Sequence, residues 1–557
     1  MENMKVRLKR IYKTEEKVQE AWDKISAKLE KYQPMEKAGS VLSQEDSILI
    51  TYGDSIRKDG MPPLKVLKDF LDDYVKDAIS NVHLLPMFPY SSDDGFSVVD
   101  YRQINPDLGT WENISELASE YGLMFDAVIN HISKSSEWFR GYQACEKPYK
   151  NYFLTCDPEA DYSQVTRPRA LPLLTEFDTV EGKKHVWTTF SEDQIDLNFE
   201  SPDVLAEIID ILIMYAKSGA RFLRLDAIGF LWKEPGTTCM HLPETHEIIK
   251  LMKDVLSIYA PGTMIITETN VPHKDNISYF GNGSDEADLV YQFPLPPLTM
   301  YSILKGNADI LSRWMENLEL PEGKATFFNF LSSHDGIGMR PTEGLLSAKD
   351  REFLVENTLK SGGRVSYKDN GDGTRSPYEL NINYQDALSS PDEADEVRIA
   401  KFLAAETILL SMQGVPGIYI HSLLGSRNDY YGMTTSDIPR RINREKLDYN
   451  NLRMQLDGDT NRSAIFKEFI RRLKIRKLEP SFAPQASQVV LKIDSRILAL
   501  KRENPDKGTC VYALINVSPD TVSLELAGVK GVNLLDGRQI QEKIRMSPYE
   551  TVWVKSN

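Results

Sequence analysis

Cysteine is scarce in this sequence. Only Cys145, Cys156, Cys239 and Cys510 occur in 557 residues, and no two stand at CxxC spacing, which excludes a zinc knuckle, a dithiol redox centre and a disulfide-built scaffold. Such scattered thiols suit a reducing compartment. Long apolar runs are missing too. Nowhere are there 18 consecutive apolar residues, and the opening stretch MENMKVRLKRIYKTEEK has no apolar core of secretory length. A cytoplasmic protein without a membrane partner is therefore expected. Positive charge is in deficit: 66 Lys and Arg face 82 Asp and Glu, a net of -16. The averaged field repels nucleic-acid backbones, although a local basic pocket can still take a small anion. No internal repeat or low-complexity tract occurs.

What is present is the balance of a folded enzyme-sized chain, 41% hydrophobic and 27% charged. The length exceeds what one core supports, roughly 250 to 300 residues. Residues 14 to 32 place Val18, Trp22, Ile25, Leu29 and Tyr32 on one helical stripe, with Thr14 as N-cap before Glu15 and Glu16. From residue 47 the rhythm changes to short apolar runs separated by helix-like stretches. Strands are expected at 47–52, 81–85, 123–130, 222–226, 264–268, 289–293, 326–330 and 417–420. Eight buried parallel strands fit a closed α/β barrel, a (β/α)8 TIM barrel, with a doubly wound sheet as the rival. The barrel is favoured because Asn130 and His131, Asp226, Glu268, and His334 with Asp335 each close or follow a different strand.

The expected organisation is an N-terminal helical extension over 1–46 and barrel segments at 47–131, 201–336 and 390–480. Inserted subdomains occupy 132–200 and 337–389, too long for simple loops. Residues 481–557, with strands at 497–502, 509–517, 521–527 and 551–554, form a small antiparallel C-terminal domain.

Carboxylates at the tips of neighbouring parallel strands, about 4.8 Å apart, can flank one sugar bond at the roughly 5 to 5.5 Å that a retaining glycosidase requires. Asp226 and Glu268 form that pair, set against the plainer reading that each caps the next helix. Arg224, two residues before Asp226, shares its face and can hold it ionised. Lone histidines are commonly structural, and His83, His185, His241 and His246 are weighed that way. His131 and His334 stand out because they adjoin strand tips. The stretch 368–379 imitates a calcium loop, with Asn370, Asp372, Gly373 and Glu379 in register, but Lys368 at the first ligand position repels the ion. Gly281-Asn-Gly283 lacks the third glycine of a dinucleotide fingerprint, since residue 286 is Glu.

These residues resemble a known family. Asp126-Ala-Val-Ile-Asn-His131, Arg224-Leu-Asp226, Ile266-Thr-Glu268 and Ser333-His-Asp335 stand in the order and spacing of the four sequence regions of the α-amylase superfamily, and Gln194-Ile-Asp-Leu-Asn198 is similar to a fifth. His83-Leu-Leu-Pro86, Asp93-Asp-Gly-Phe96, Arg167-Pro-Arg169, Lys233-Glu-Pro-Gly-Thr237, His334-Asp-Gly-Ile-Gly338 and Ile442-Asn-Arg444 resemble its sucrose phosphorylase branch. The N-terminal extension, Thr269-Asn270-Val-Pro-His273-Lys-Asp-Asn276 and Gly373-Thr-Arg-Ser-Pro-Tyr-Glu379 are most similar to glucosylglycerate phosphorylases.

The resemblance implies a retaining phosphorylase without cofactor or metal, with Asp226 as nucleophile, Glu268 as acid/base and Asp335 as stabiliser. Asp93, Phe96, His131, Arg224, His334 and Arg444 would line the glucose site. Phosphate must intercept the glucosyl group in place of water, so a cationic pocket is needed. Arg167 and Arg169 around Pro168 supply paired guanidiniums, with Arg375 and Tyr378 completing the pocket. Asn270 would join the sugar-binding residues and Glu379 the acceptor pocket; sucrose phosphorylases carry a histidine and a glutamine at these positions, which argues against fructose as acceptor. The implied partners are an α-glucoside, phosphate and glycerate, and a homo-oligomer is compatible with the sequence. The alternatives are sucrose or sucrose 6-phosphate phosphorolysis, an α-glucosidase, and a non-catalytic sugar-binding barrel.

Overall fold

The structure, a computed structural model, describes residues 2–36, 41–169, 171–370 and 373–556. Its centre is a closed barrel of eight parallel strands: β1 (Ile48–Thr51), β2 (Asn81–Leu84), β3 (Gly122–Ala127), β4 (Ala220–Leu225), β5 (Met264–Thr267), β6 (Leu289–Tyr291), β7 (Thr326–Phe330) and β8 (Val415–Tyr419). Each strand pairs with its sequence neighbours, and β8 closes on β1 through Leu49 opposite Ile418. The strands are buried almost throughout, as parallel strands roofed by helices must be. Four of the helices begin with proline in the first turn, Pro63–Tyr74, Pro202–Lys217, Pro243–Tyr259 and Leu295–Lys305, where the missing N–H and fixed φ cost nothing.

All eight expected strands are present, but most stop short of their charged tips. Regular pairing ends at Leu225 and Thr267, one residue before Asp226 and Glu268. The reason is chemical: the tip residues spend their side chains on the cavity, and only backbone bonds continue. Asp226 N–H still donates to Ala127 O at 3.2 Å and Glu268 N–H to Leu225 O at 3.1 Å.

Between β3 and β4 lie a three-stranded antiparallel sheet, with Thr155–Cys156, Gly182–Trp187 and Leu174–Thr179, and a pair between His131–Ser133 and Gln194–Asp196. After β7 come Ile337–Gly338, the helix Ala348–Lys360 and the hairpin Arg364–Asp369 with Arg375–Asn381. The calcium-loop imitation falls on this hairpin, and its Asp372 lies outside the described residues.

The N-terminal helix Glu15–Leu29 is capped as its sequence indicates, Thr14 accepting from Lys17 N–H at 3.3 Å. A second helix, Glu2–Ile11, precedes it. Ion pairs tie both to the barrel's outer helices, Lys24 to Asp203, Lys28 to Glu207 and Arg7 to Glu247. The C-terminal sheet has six strands rather than four. The two not anticipated are Ser487–Val490, which is short, and Gln539–Met546, whose charged residues hide its alternation. Both are edge strands, where polar side chains are tolerated on each face.

Candidate functional site

A cavity opens at the C-terminal ends of the barrel strands, lined by Asp93, Phe96, His131, Asp226, Glu268 and Asp335, among others. In register, Leu225 stands opposite Thr267. Asp226 and Glu268 therefore leave adjacent strands at one level, their backbones about 4.8 Å apart. Glu268 Oε2 accepts from Ala227 N–H at 3.1 Å, so the carboxyl leans over the residue that follows Asp226.

Beneath them lies a buried ionic stack. Arg224 donates to Asp226 Oδ1 at 2.9 Å, to Asp126 and, through Nε, to the Tyr291 hydroxyl at 3.0 Å. His83 Nε2 reaches Asp126 Oδ2 at 2.7 Å. His83 is thus a support for Asp126 and does not line the cavity. Burial pushes the carboxyls of both Asp226 and Glu268 upward, and each like-charged neighbour adds to it. Two acids in this position favour sharing one proton. Asp226 is pushed up the further of the two, and Arg224, hydrogen-bonded to Asp226 and not to Glu268, opposes that push.

Asp335 behaves oppositely. Despite burial, Arg440 and Arg444 hold it below the usual carboxylate range. Arg440 Nη1 lies 2.7 Å from Asp335 Oδ1, and its Nε and Nη2 each donate to Glu379 at 3.0 Å. His334 stacks on Phe96, with ring centroids 4.8 Å apart, and burial lowers it to about 3, so it is neutral at working pH. His131 is likewise buried and lowered, with Nε2 at 2.9 Å from Phe96 O. Asp93 and Asp94 both adopt left-handed backbone, φ 54° and 47°, which short acids tolerate best among non-glycine residues. That turn separates their duties. Asp93 faces the cavity and receives Arg169 and Gln194, each at 3.2 Å. Asp94 faces Arg441 and Arg444 at 2.5 and 2.6 Å. Gly95 cannot be replaced there, since a Cβ would stand 2.9 Å from Pro86 Cβ.

Several sequence expectations need correction. Arg167 does not line the cavity: its guanidinium turns back to the Leu171 carbonyl. Arg375 is exposed at the start of its hairpin strand and does not reach the cavity either. Of the three arginines expected to receive an anion, Arg169 alone faces the site, over the Phe190 ring at 5.7 Å. Glu379 lines the cavity as expected, but it also bonds Arg440 and accepts from Gly336 N–H at 2.9 Å. Arg444 lies one layer behind the lining, donating to His334 O at 2.7 Å and standing 3.9 Å from Asp335. Tyr378 and Asn270 do line the cavity, and burial pushes the Tyr378 hydroxyl up to about 12, leaving it a neutral donor.

Sequence reading missed Arg440, Gln194 and Arg340 as lining residues. The run Arg440-Arg441-Ile-Asn-Arg444, three arginines in five residues of an acidic chain, was the available signal for the first. Asn130 and Asp196, oxygen donors of the kind a hard cation takes, both face the buried Lys233 ammonium, at 2.9 and 2.8 Å. A lysine charge stands where such a cation would sit.

The family model of the alpha-amylase catalytic domain matches residues 59–337. The chain is 47% identical to a glucosylglycerate phosphorylase from Allomeiothermus silvanus, over 94% of this chain and 93% of that one. It is 46% identical to the Escherichia coli protein of the same name, over 92% of each. A sucrose 6(F)-phosphate phosphorylase of Thermoanaerobacterium thermosaccharolyticum is 29% identical over 71% of this chain and 81% of its own. Among solved structures, sucrose 6F-phosphate phosphorylase from Thermoanaerobacter thermosaccharolyticum superposes with a TM-score of 0.76 at 23% identity, covering 92% of this chain and all of that one, a likeness of fold. Fold, strand-tip acids and relatives agree, and the chain belongs to the alpha-amylase family, in the group that includes the glucosylglycerate phosphorylases.

Proposed function

We propose that this protein catalyses the reversible phosphorolysis of 2-O-α-glucosylglycerate to α-glucose 1-phosphate and glycerate, with retention by double displacement. The observation that carries the reading is the near-full-length identity to glucosylglycerate phosphorylases on a barrel whose adjacent strand tips present Asp226 and Glu268.

Asp226, held ionised by Arg224, attacks the anomeric carbon from one face. Glu268 protonates the departing glycerate oxygen, for which its raised proton affinity suits it. The transition state carries positive charge on the ring, and Asp335, kept anionic by Arg440, stabilises it across the sugar hydroxyls. Phosphate then takes the glucosyl group from Asp226, its proton going to Glu268, which restores both residues. Asp93, His131 and His334 bond glucose hydroxyls, with neutral imidazoles as donor or acceptor. Arg169 offers the phosphate a guanidinium whose only anionic partner among the described residues, Asp93, is 3.2 Å away.

The test is a panel of acceptors offered with α-glucose 1-phosphate, scored by phosphate release. Glycerate should be used fastest. Faster release with fructose or fructose 6-phosphate would overturn the substrate assignment.

A further inference from the structure

The cavity holds one guanidinium with no partner among the described residues. Arg340 lies five residues after Asp335, half-buried on the short helical turn Arg340–Thr342, and lines the cavity. Among the described residues its side chain makes no ion pair and no hydrogen bond. The other lining guanidiniums are already matched, Arg440 with Asp335 and Glu379 and Arg169 with Asp93, as is Arg224 beneath the site with Asp226 and Asp126. A partly desolvated cation without a counter-charge is unfavourable unless a ligand supplies one.

A second unpartnered group lines the same cavity. Asn270, two residues after Glu268, has its Oδ1 buried with no donor. It sits against Gly338, where a Cβ would lie 3.2 Å from Nδ2 and 3.3 Å from Oδ1, so the glycine leaves the carboxamide room. Glu268, an unpartnered amide oxygen and an unpaired cation thus line one cavity.

Resting on the function proposed above, we propose that Arg340 is the specificity-determining residue that binds the acceptor's carboxylate, with Asn270 Oδ1 accepting from its free hydroxyl. The phosphate is left to Arg169 on the facing insertion. The acceptor class is then a small 2-hydroxycarboxylate, its 2-oxygen turned to Glu268. Glycerol, which differs from glycerate by CH2OH in place of the carboxylate, serves as the neutral probe.

Glucosyl transfer from α-glucose 1-phosphate to glycerate and to glycerol is measured in the full-length protein and in Arg340→Ala and Arg340→Lys. The inference expects Arg340→Ala to raise KM for glycerate about 10- to 100-fold, the worth of a charge-assisted pair. KM for α-glucose 1-phosphate and the rate with glycerol should stay nearly unchanged, and Arg340→Lys should recover part of the glycerate affinity. An Arg340→Ala variant that keeps the native melting temperature and loses phosphate and glycerate use alike would overturn the inference and leave the proposed function standing. No transfer to glycerate by the native protein would overturn the function itself.

Discussion

At the scale of residues, the site is organised by which arginine touches which acid. Asp226 and Glu268 experience similar burial, and the asymmetry between them comes from Arg224, bonded to the first alone. Replacing Asp226 by Asn should cut phosphorolysis by roughly 10⁴ to 10⁶, as removal of a nucleophile does; undiminished turnover would refute the assignment. Glu268→Gln should lose the natural reaction by about 10² to 10⁴, yet keep much of its rate with an activated aryl α-glucoside, whose leaving group needs no proton. The pH dependence follows with a definite sign. A general acid works protonated, so kcat/KM should fall as pH rises through the raised pKa of Glu268, and that alkaline limb should disappear in Glu268→Gln. The sequence displayed the two acids and Arg224 because strand-tip spacing is local. Arg440 showed only as one of three clustered arginines, because its partners Asp335 and Glu379 lie 105 and 61 residues away in sequence and meet it only in the folded barrel. The same distance hid the pairing of Glu379 with that arginine. Arg440→Ala strands a buried carboxylate and should cost about 3 kcal/mol in denaturant unfolding; adding Glu379→Gln should return part of it, whereas simple additivity would show that the pair is uncoupled.

At the scale of elements, the helix Asp395–Ser411 connects the active barrel to the C-terminal domain and carries an unusual load. Glu406 lies within it, 1% exposed, and burial pushes its carboxyl up to about 8, only partly offset by the Ser422 hydroxyl. A carboxyl raised in the folded state binds a proton that the unfolded chain has released, so stability should fall as pH rises from the ordinary glutamate range toward 8. The slope should approach 1.4 kcal/mol per pH unit at most. Glu406→Gln should flatten that slope in urea unfolding measured between pH 5 and 8, and an unchanged slope would contradict a protonated Glu406. Elements with strong local signals were legible: the eight barrel strands, the Thr14 cap and four strands of the C-terminal sheet. Those that depend on edge position or tertiary support, Ser487–Val490 and Gln539–Met546, were not, since nothing in their alternation separates a two-sided polar strand from a loop.

At the scale of the whole molecule, the barrel and the C-terminal sheet share one apolar core. Leu500, Ile515 and Trp553 belong to the barrel's own cluster, and the Trp553 indole donates to Ser411 Oγ at 2.8 Å. Arg476, fully buried, ties Leu410 O, Gln44 O and Phe482 O together. Truncation after residue 480 should therefore leave an insoluble or unfolded barrel rather than an active one; a soluble, active fragment would show the sheet to be independent. On this frame both insertions reach one cavity, Arg169 from the first and Arg340 with Tyr378 from the second.

The central claim is that glucose passes through Asp226 with its configuration kept. Its most direct measurement is the anomeric configuration of glucose 1-phosphate formed from 2-O-α-glucosylglycerate and phosphate, followed by NMR before any mutarotation of free sugar intervenes. The account predicts the α-phosphate as the first and sole anomer; β-glucose 1-phosphate would contradict it.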